Sequence, residues 1–302
     1  VWTDTGLFLM QFVGQPFTFA FSQVGNNCGL IGKNASSEVD GVAYWMSENG
    51  FFTYDGQLRS MPCLVEDFVY DDLNSTPRDL IYAGTNNLFG EVVWYYPTAN
   101  SSAVNRNVTY NYLDSTTQRP IWTTGTLART TWQDSAVFDK PHATEYNASD
   151  DASFDVVGNT DGSSIYFEQE TGTDEVTNSG TTAIAASITS GDFDITQKRS
   201  STGQASAGMP DLRGDGEYIM RISRFIPDFI SQTGAAQVSF VTKDYPNSTG
   251  VTTNFTNITE DTLRKDVRLR ARSIAIEVSN TGAGEDWKLG TFRLDIHPGG
   301  RR

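Results

Sequence analysis

Cysteine is scarce in this sequence. The 302 residues include only Cys28 and Cys63, which lie far apart in the chain. Two isolated cysteines fit neither the paired spacing of a zinc site nor the dense cysteine set of small secreted proteins. We therefore expect two free thiols, with a single disulfide as the alternative.

Basic residues and long apolar runs are also in short supply. Asp and Glu number 37 against 22 Lys and Arg, a formal net charge of -15, which repels nucleic-acid phosphates and anionic lipids. No apolar run approaches the roughly 18 residues of a membrane-spanning helix, and no leader pattern opens the chain. The sequence begins at Val1, within a stretch typical of a strand. We expect a piece of a longer chain with further repeats upstream, and the earlier loss of a leader stays an alternative.

Residues that commonly carry catalysis are few. His142 and His297 each stand alone, without the HxH, HExxH or nearby cysteine of a zinc site. The Gly-x-Ser-x-Gly nucleophile motif and glycine-rich phosphate loops are missing. We predict that the protein is not an enzyme and that it uses no metal and no cofactor.

Paired carboxylates are the one remaining candidate for catalysis, because glycosidases need two such groups a few ångströms apart. Adjacent residues in a strand point to opposite faces, and in a helix they diverge by about 100°. Adjacent acids here are therefore interpreted as solvated surface. Residues 150–164 have the composition of a calcium loop but not its ligand spacing. The pairs are Glu66-Asp67, Asp71-Asp72 and Asp150-Asp151.

Glycosylation sequons are somewhat more frequent than chance predicts. Polar turns also produce the Asn-x-Ser/Thr pattern without any glycan, so most of them are interpreted as turns. A secreted glycoprotein stays a rival hypothesis. The sequons begin at Asn34, Asn74, Asn100, Asn107, Asn147, Asn247, Asn254 and Asn257.

Short alternating runs bounded by Gly, Asn, Asp and Ser predict an all-β protein. The exception is the stretch PCLVEDFVYDDLN, residues 62–74, where helical spacing after a proline predicts one short helix.

The first 170 residues predict a repeat. Glycines followed by aromatic-rich strands recur at a period near 40, with one missing unit expected around Gly125. Several short strands per unit at this period are typical of β-propeller blades, and a run of β-sandwich hairpins is the alternative. The leading glycines are Gly6, Gly50, Gly90 and Gly162.

From residue 171 to residue 302 a second module is predicted. A Thr/Ser/Gly-rich stretch leads into four strand patterns that favour an antiparallel β-sandwich. In VRLRARSIAIEV, residues 267–278, the apolar side chains change parity, so we predict a bulge or bend near Arg272-Ser273.

A row of arginines lies within that stretch. Arg268, Arg270 and Arg272 share one face of the predicted strand, a positive stripe on an acidic protein. They either pair locally with acids or meet the acidic surface of an identical subunit, because opposite patches let copies close into a ring.

Several stretches together resemble the C-terminal half of the tail nozzle, or stabilisation, proteins of short-tailed bacteriophages. They are GVAYW followed by NGFFTYDG, MPCLVEDFVYDDLN, EVVWYY, GTLARTTW, RFIPDF, KDYP, DVRLRARS and WKLGTFRLDIHPGGRR. The resemblance spans most of the chain, and its segments are structural signatures rather than catalytic ones.

That resemblance implies a homohexameric ring at the distal end of the tail. The genome would pass through its channel without specific binding, with tail adaptor and tail fibre proteins as neighbours. The virion would assemble in the bacterial cytoplasm. An acidic wall that repels phosphate agrees with this role. The rival is a secreted, glycosylated protein that binds carbohydrate or cleaves glycosides, which glycans or a Cys28-Cys63 bridge would favour.

Overall fold

The computed structural model describes residues 1–135, 138–146, 164–177, 180–195 and 218–301. The protein is nearly all β, which confirms the predicted fold class. It divides into two compact units, Val1–Thr171 and Gly172–Arg302, and each has its own apolar core. Within the described ranges, no helix is long and apolar enough to cross a membrane.

The first unit is a succession of antiparallel sheets formed by consecutive strands. A two-stranded sheet is followed by two four-stranded sheets and then by a three-stranded sheet. In chain order the sheets are β1 (Gly6–Phe12) and β2 (Phe19–Asn26); β3 (Ser36–Val39), β4 (Val42–Ser47), β5 (Gly50–Tyr54) and β6 (Leu58–Met61); β7 (Tyr82–Asn86), β8 (Glu91–Tyr96), β9 (Arg106–Asn111) and β10 (Trp122–Gly125); and β11 (Thr131–Gln133), β12 (His142–Tyr146) and β13 (Ser164–Glu168).

The predicted helix near 62–74 is confirmed, although it is shorter than predicted. α1 spans Glu66–Asp71, between β6 and a short 3-10 turn at Arg78–Leu80. Glu66 and Asp67 lie in its first turn, where carboxylates interact favourably with the helix dipole. Val69 is fully buried in the core of the first unit, and the half-buried Tyr70 packs on the same core and donates from its hydroxyl to the Ser47 carbonyl at 2.6 Å, so both residues hold this short helix in place.

The two four-stranded sheets and the three-stranded sheet of the first unit stack face to face. Trp94 of β8 packs on Phe51 of β5 with ring centroids 5.0 Å apart, and its Nε1 donates to the Ala35 carbonyl at 3.1 Å. On the opposite face of β8, Tyr95 stacks on Trp132 of β11 at 6.1 Å. The second four-stranded sheet is therefore covered by aromatic side chains on both faces.

Close stacking depends on one glycine. A Cβ on Gly84 of β7 would lie 2.7 Å from Cγ of Trp132, so only glycine admits the indole at this point. The indole Nε1 of Trp132 then donates to the carbonyl of Thr85 in the same strand. The aromatic residue of one sheet is thus fixed to the backbone of the preceding sheet.

Four-stranded meanders stacked in chain order are blade-like sheets, as in a β-propeller. The glycines used to predict their period, however, are not equivalent positions. Gly50 lies in the turn between the second and third strands of its sheet, whereas Gly90 lies between the first and second strands of the next sheet. Gly125 ends β10 instead of opening a unit, and Gly162 lies outside the described residues. The glycines mark tight turns, which occur at several places in each sheet.

The second unit contains two larger sheets that share one core. A four-stranded sheet has the order β16-β22-β19-β20, and a three-stranded sheet has the order β21-β17-β24. Two further pairs, β14 with β15 and β18 with β23, lie beside them. The strands are β14 (Asp174–Thr177), β15 (Gly180–Ala183), β16 (Ala186–Thr189), β17 (Tyr218–Ile226), β18 (Phe229–Thr233), β19 (Ala236–Lys243), β20 (Val251–Ile258), β21 (Lys265–Ala271), β22 (Ser273–Asn280), β23 (Asp286–Leu289) and β24 (Arg293–Arg301).

An aromatic cluster holds the two sheets together. Phe225 of β17 is fully buried and lies 5.4 Å from Phe240 of β19, 5.5 Å from Phe255 of β20 and 5.5 Å from Phe292. Side chains from both sheets interdigitate here, which is the packing of a β-sandwich. The second module therefore has the architecture predicted for it.

The predicted bend near Arg272-Ser273 is confirmed. β21 ends at Ala271 and pairs with β17 in the three-stranded sheet, whereas β22 begins at Ser273 and pairs with β19 in the opposite sheet. The chain crosses the sandwich between the two strands, and this crossing allows both apolar sets to face the same core.

Candidate functional site: a cationic face on the sandwich

The outer face of β21 carries exposed arginines. Val267, Leu269 and Ala271 point into the core and are at most 7% exposed. Arg268 and Arg270 alternate with them and lie exposed on the outer face. The sequence pattern therefore placed these two guanidinium groups correctly.

Arg272 has a different environment from the other two arginines. It follows the last residue of β21, at the crossing between the sheets. Its backbone N–H donates to the Lys243 carbonyl at 3.1 Å, and its guanidinium carbon lies 6.0 Å from the ring centroid of Tyr245. Arg272 is half-buried and belongs to the bend, so the exposed row on β21 has two members.

The neighbouring strands add two more basic side chains to the row. Arg221 of β17 is the direct cross-strand partner of Arg270, and His297 of β24 is the direct partner of Arg221 on its other side. Sequence reasoning missed both, because Arg221 and His297 are remote from β21 in sequence and only strand pairing brings them together. We name Arg221, Arg268, Arg270 and His297 the cationic face.

A second row on the same sheet shows how a neutralised arginine is arranged. Arg224 lies between Asp266 of β21 and Asp295 of β24, with N–O distances of 3.1 Å and 3.6 Å. A bulge between Ile222 and Arg224 separates this row from the cationic face. Acids therefore stand on both sides of Arg224, whereas basic residues stand on both sides of Arg221.

Charge at the cationic face is not balanced locally. Among the described residues, no carboxylate forms an ion pair with Arg221, Arg268 or Arg270. Like charges directly opposite each other in a ladder are unfavourable. Beside them lies an open groove of about 470 Å³, lined in part by Arg221, Ser223 and Arg268 and by one carboxylate, Asp266, which is paired with Arg224. The face is suited to contact an anionic surface.

A pair of acids that adjacent-residue reasoning did not identify lies in the first unit. Burial raises the pKa of Glu91 on β8, and the negative charge of Glu170 raises it further. Asn86, which is 3% exposed, donates from Nδ2 to Glu170 at 2.9 Å. The two glutamates are distant in sequence, so only the fold could reveal the pair.

The acidic pairs taken from the sequence have other environments. Glu66 and Asp67 occupy the first turn of α1. Asp72 lies 3.5 Å from Arg106 in an ion pair. Asp150-Asp151 and all but the last residue of the calcium-like stretch 150–164 lie outside the described residues.

The two histidines lie in strands. His142 of β12 stacks on Tyr166 and contacts Phe138 edge to face, and the Tyr166 hydroxyl is hydrogen bonded to its Nδ1. Across the described ranges, no group of three His, Cys, Asp or Glu side chains is arranged to hold a metal ion. His142 is thus part of an aromatic cluster, and His297 is part of the cationic face.

The cysteines and one sequon bear on the secreted alternative. Both thiols are free: Cys28 is buried beside Trp45, and Cys63 lies in the separate core against α1. Asn107 is 9% exposed, donates to Thr109 Oγ1 and accepts from the backbone N–H of Leu127. A glycan on Nδ2 would have little room at a side chain that is buried to this extent.

Comparison with known proteins gives no assignment. No model of a known protein family matches the chain, and no curated protein matches it in sequence.

Proposed function

We propose that this chain is a structural assembly protein whose copies bind one another through the cationic face. The observation that carries the proposal is the direct juxtaposition of Arg270, Arg221 and His297 across three strands, without a local acid between them. The chain as a whole is acidic, with a formal net charge of -15. A subunit with separate patches of opposite sign can join head to tail and close into a ring.

The particular assembly we propose is the distal nozzle of a short phage tail. Support comes from the resemblance of the segments quoted above and from the blade-like sheets followed by a sandwich. In this role the chain forms a homohexamer in the virion, next to tail adaptor and tail fibre proteins. It is a conduit rather than an enzyme, and its negative charge keeps the passing DNA from binding.

The assembly is tested by measuring mass in solution as a function of salt. We expect native mass measurement and negative-stain images of the wild-type chain at low ionic strength to show closed rings of about six copies. Raising the salt concentration screens exposed charges, so the rings should dissociate. A monomer at low salt, or a monomer with additional glycan mass, would overturn the proposal.

Matched variants locate the contact. Arg221→Thr combined with Arg270→Thr removes two charges from the cationic face and should abolish ring formation. Arg264→Thr, in the exposed turn before β21, removes a charge outside the face and should leave the ring intact. Retention of duplex DNA by the wild-type chain, lost in the double variant, would instead assign the face to phosphate binding.

A further inference from the structure

A protruding apolar hairpin is independent of the cationic face. We name β1, β2 and the connecting residues 13–18 the arm. From Leu9 to Gln23, every residue except Gly14 is exposed. The sheet has only two strands, so the edges of the arm beyond its base have no partner strand among the described residues.

The two faces of the arm differ in chemistry. Met10 lies directly opposite Phe21, and Phe12 lies directly opposite Phe19, with the rings of the second pair 5.9 Å apart. These four side chains form one apolar face. The other face is formed by smaller and more polar residues, which are Leu9, Gln11, Val13, Thr18, Ala20 and Ser22. Alternation of this kind indicates a strand pair with one face meant to be covered.

The base of the arm is firmly held. Leu7 is buried with Cys28 and Trp45, and Val24 packs against the same cluster. Phe8 exchanges hydrogen bonds of 2.8 Å with Val1 in both directions. The arm therefore extends from a packed anchor, and its apolar face is a fixed surface of the first unit.

The exposed area is that of an interface. Met10, Phe12, Phe19 and Phe21 are 47%, 73%, 50% and 60% exposed. At roughly 200 Å² per side chain, they leave about 450 Å² of apolar surface uncovered. A patch of this size is at the upper end for monomers, and it supplies more than half of the roughly 800 Å² that each partner buries in a standard interface.

Charge is absent from this surface. Between Gly6 and Gly32 the sequence has no Asp, Glu, Lys or Arg, although 20% of the whole chain is charged. The cores of protein interfaces are depleted in charge and enriched in aromatic residues and Met. An unpaired strand edge additionally offers backbone hydrogen bonds to another chain.

We propose that the arm docks on a second copy of this chain, which covers the face formed by Met10, Phe12, Phe19 and Phe21. The inference rests on the proposed function in that copies of the chain assemble. It adds a contact held by apolar burial rather than by charge. High salt should therefore distinguish the two contacts, because it screens the charges of the cationic face but does not weaken apolar burial.

The experiment is sedimentation velocity of the full chain at high salt, over a range of protein concentrations. We expect the wild-type chain to remain associated. Phe19→Thr combined with Phe21→Thr keeps good strand formers in place and should raise the dissociation constant at least about tenfold. Leu9→Thr combined with Val13→Thr changes the opposite face of the same arm and should leave association unchanged.

The outcomes are distinct from those of the ring test. A wild-type chain that is monomeric at high salt, or a Phe19/Phe21 variant that associates like the wild type, would overturn the arm proposal and leave the cationic contact standing. A monomer that floats with phosphatidylcholine vesicles, and loses this property in the Phe19/Phe21 variant, would assign the arm to lipid instead. If the Arg221/Arg270 variant also remains associated at high salt, that result supports the arm contact independently of the cationic face. Circular dichroism of each variant confirms that it is folded.

Discussion

Arg221 and Arg270 lie directly opposite each other in the ladder between β17 and β21, with both side chains on the exposed face. Three residues further along β17, Arg224 lies between two aspartates. The same sheet thus carries one arginine, Arg224, whose charge is balanced and another, Arg221, that lies directly opposite a second arginine. Because of this contrast, we predict that removing the charge has opposite effects on stability at the two kinds of position.

Arg270→Thr should leave the stability of the isolated subunit unchanged or raise it by about 0.2–1 kcal/mol, because it removes a like-charge pair and introduces a good strand former. Arg224→Thr should lower stability slightly, since exposed ion pairs contribute at most about 1 kcal/mol. Urea unfolding at high salt, and at protein concentrations low enough for the chain to be monomeric, measures both. A larger loss for Arg270→Thr than for Arg224→Thr would contradict the charge imbalance at this face.

Glu91, a half-buried acid on β8, predicts that replacing it changes the stability of the protein in a pH-dependent way. Burial and the charge of Glu170 raise the pKa of Glu91 in the folded chain. The folded state then holds the proton more tightly than the unfolded state does. This stability is present below the unfolded pKa and is lost as the pH rises through the higher folded pKa.

Above the folded pKa the ionised form of Glu91 opposes folding, so Glu91→Gln should raise the unfolding temperature at neutral pH. The gain should shrink as the pH falls towards the ordinary glutamate range near about 4, where Glu91 is also neutral. Glu38→Gln on β3, an exposed position, is the matched control and should change little. A gain of the same size at both pH values would show that charge is not its cause.

Neither thiol should react readily in the folded protein. Burial raises the pKa of Cys63 to about 12, with Glu66 nearby contributing, and burial also raises the pKa of Cys28. The thiolate is the reactive form, so a disulfide-exchange reagent at pH 8 should label both cysteines only after unfolding. Single Cys28→Ser and Cys63→Ser chains assign the signals. Fast labelling of the native chain, or an unfolded, unreduced chain without free thiols, would contradict this prediction.

Local patterns account for the parts of the fold that the sequence predicted. The alternation of Val267, Leu269 and Ala271 with arginines fixes the two faces of β21, and the parity change after it requires a bend. Pro62 and the following apolar spacing likewise indicate α1. Each of these features depends on residues within a few positions of one another, so no knowledge of distant strands is needed.

Features that depend on pairing between distant strands could not be predicted. The register that places Arg221 between Arg270 and His297 links three separate segments, and Glu91 meets Glu170 only through the packing of the first unit. The glycine period was wrong for a related reason. Tight turns recur at every hairpin, and a glycine alone does not tell which hairpin of a sheet it closes.

Phe225 is the residue on which the position of the cationic face depends most. It is fully buried against Phe240 and Phe255 of the opposite sheet and against Phe292, and it lies on β17, four residues after Arg221. Phe225→Ala should therefore destabilise the second unit by about 3–5 kcal/mol, through lost burial and the cavity left behind. Phe225→Leu retains most of the volume and should cost less.

Hydrogen exchange followed by mass spectrometry localises the effect of Phe225→Ala. Exchange should accelerate over residues 218–301, while peptides from the two four-stranded sheets of the first unit, residues 36–125, should retain wild-type protection, because each unit has its own core. Phe51→Ala is the reciprocal control, since Phe51 is fully buried in the first unit against Trp94 and Trp122. Faster hydrogen exchange in both units after either substitution would show that the units unfold together. The cationic face would then depend on the core of the first unit as well.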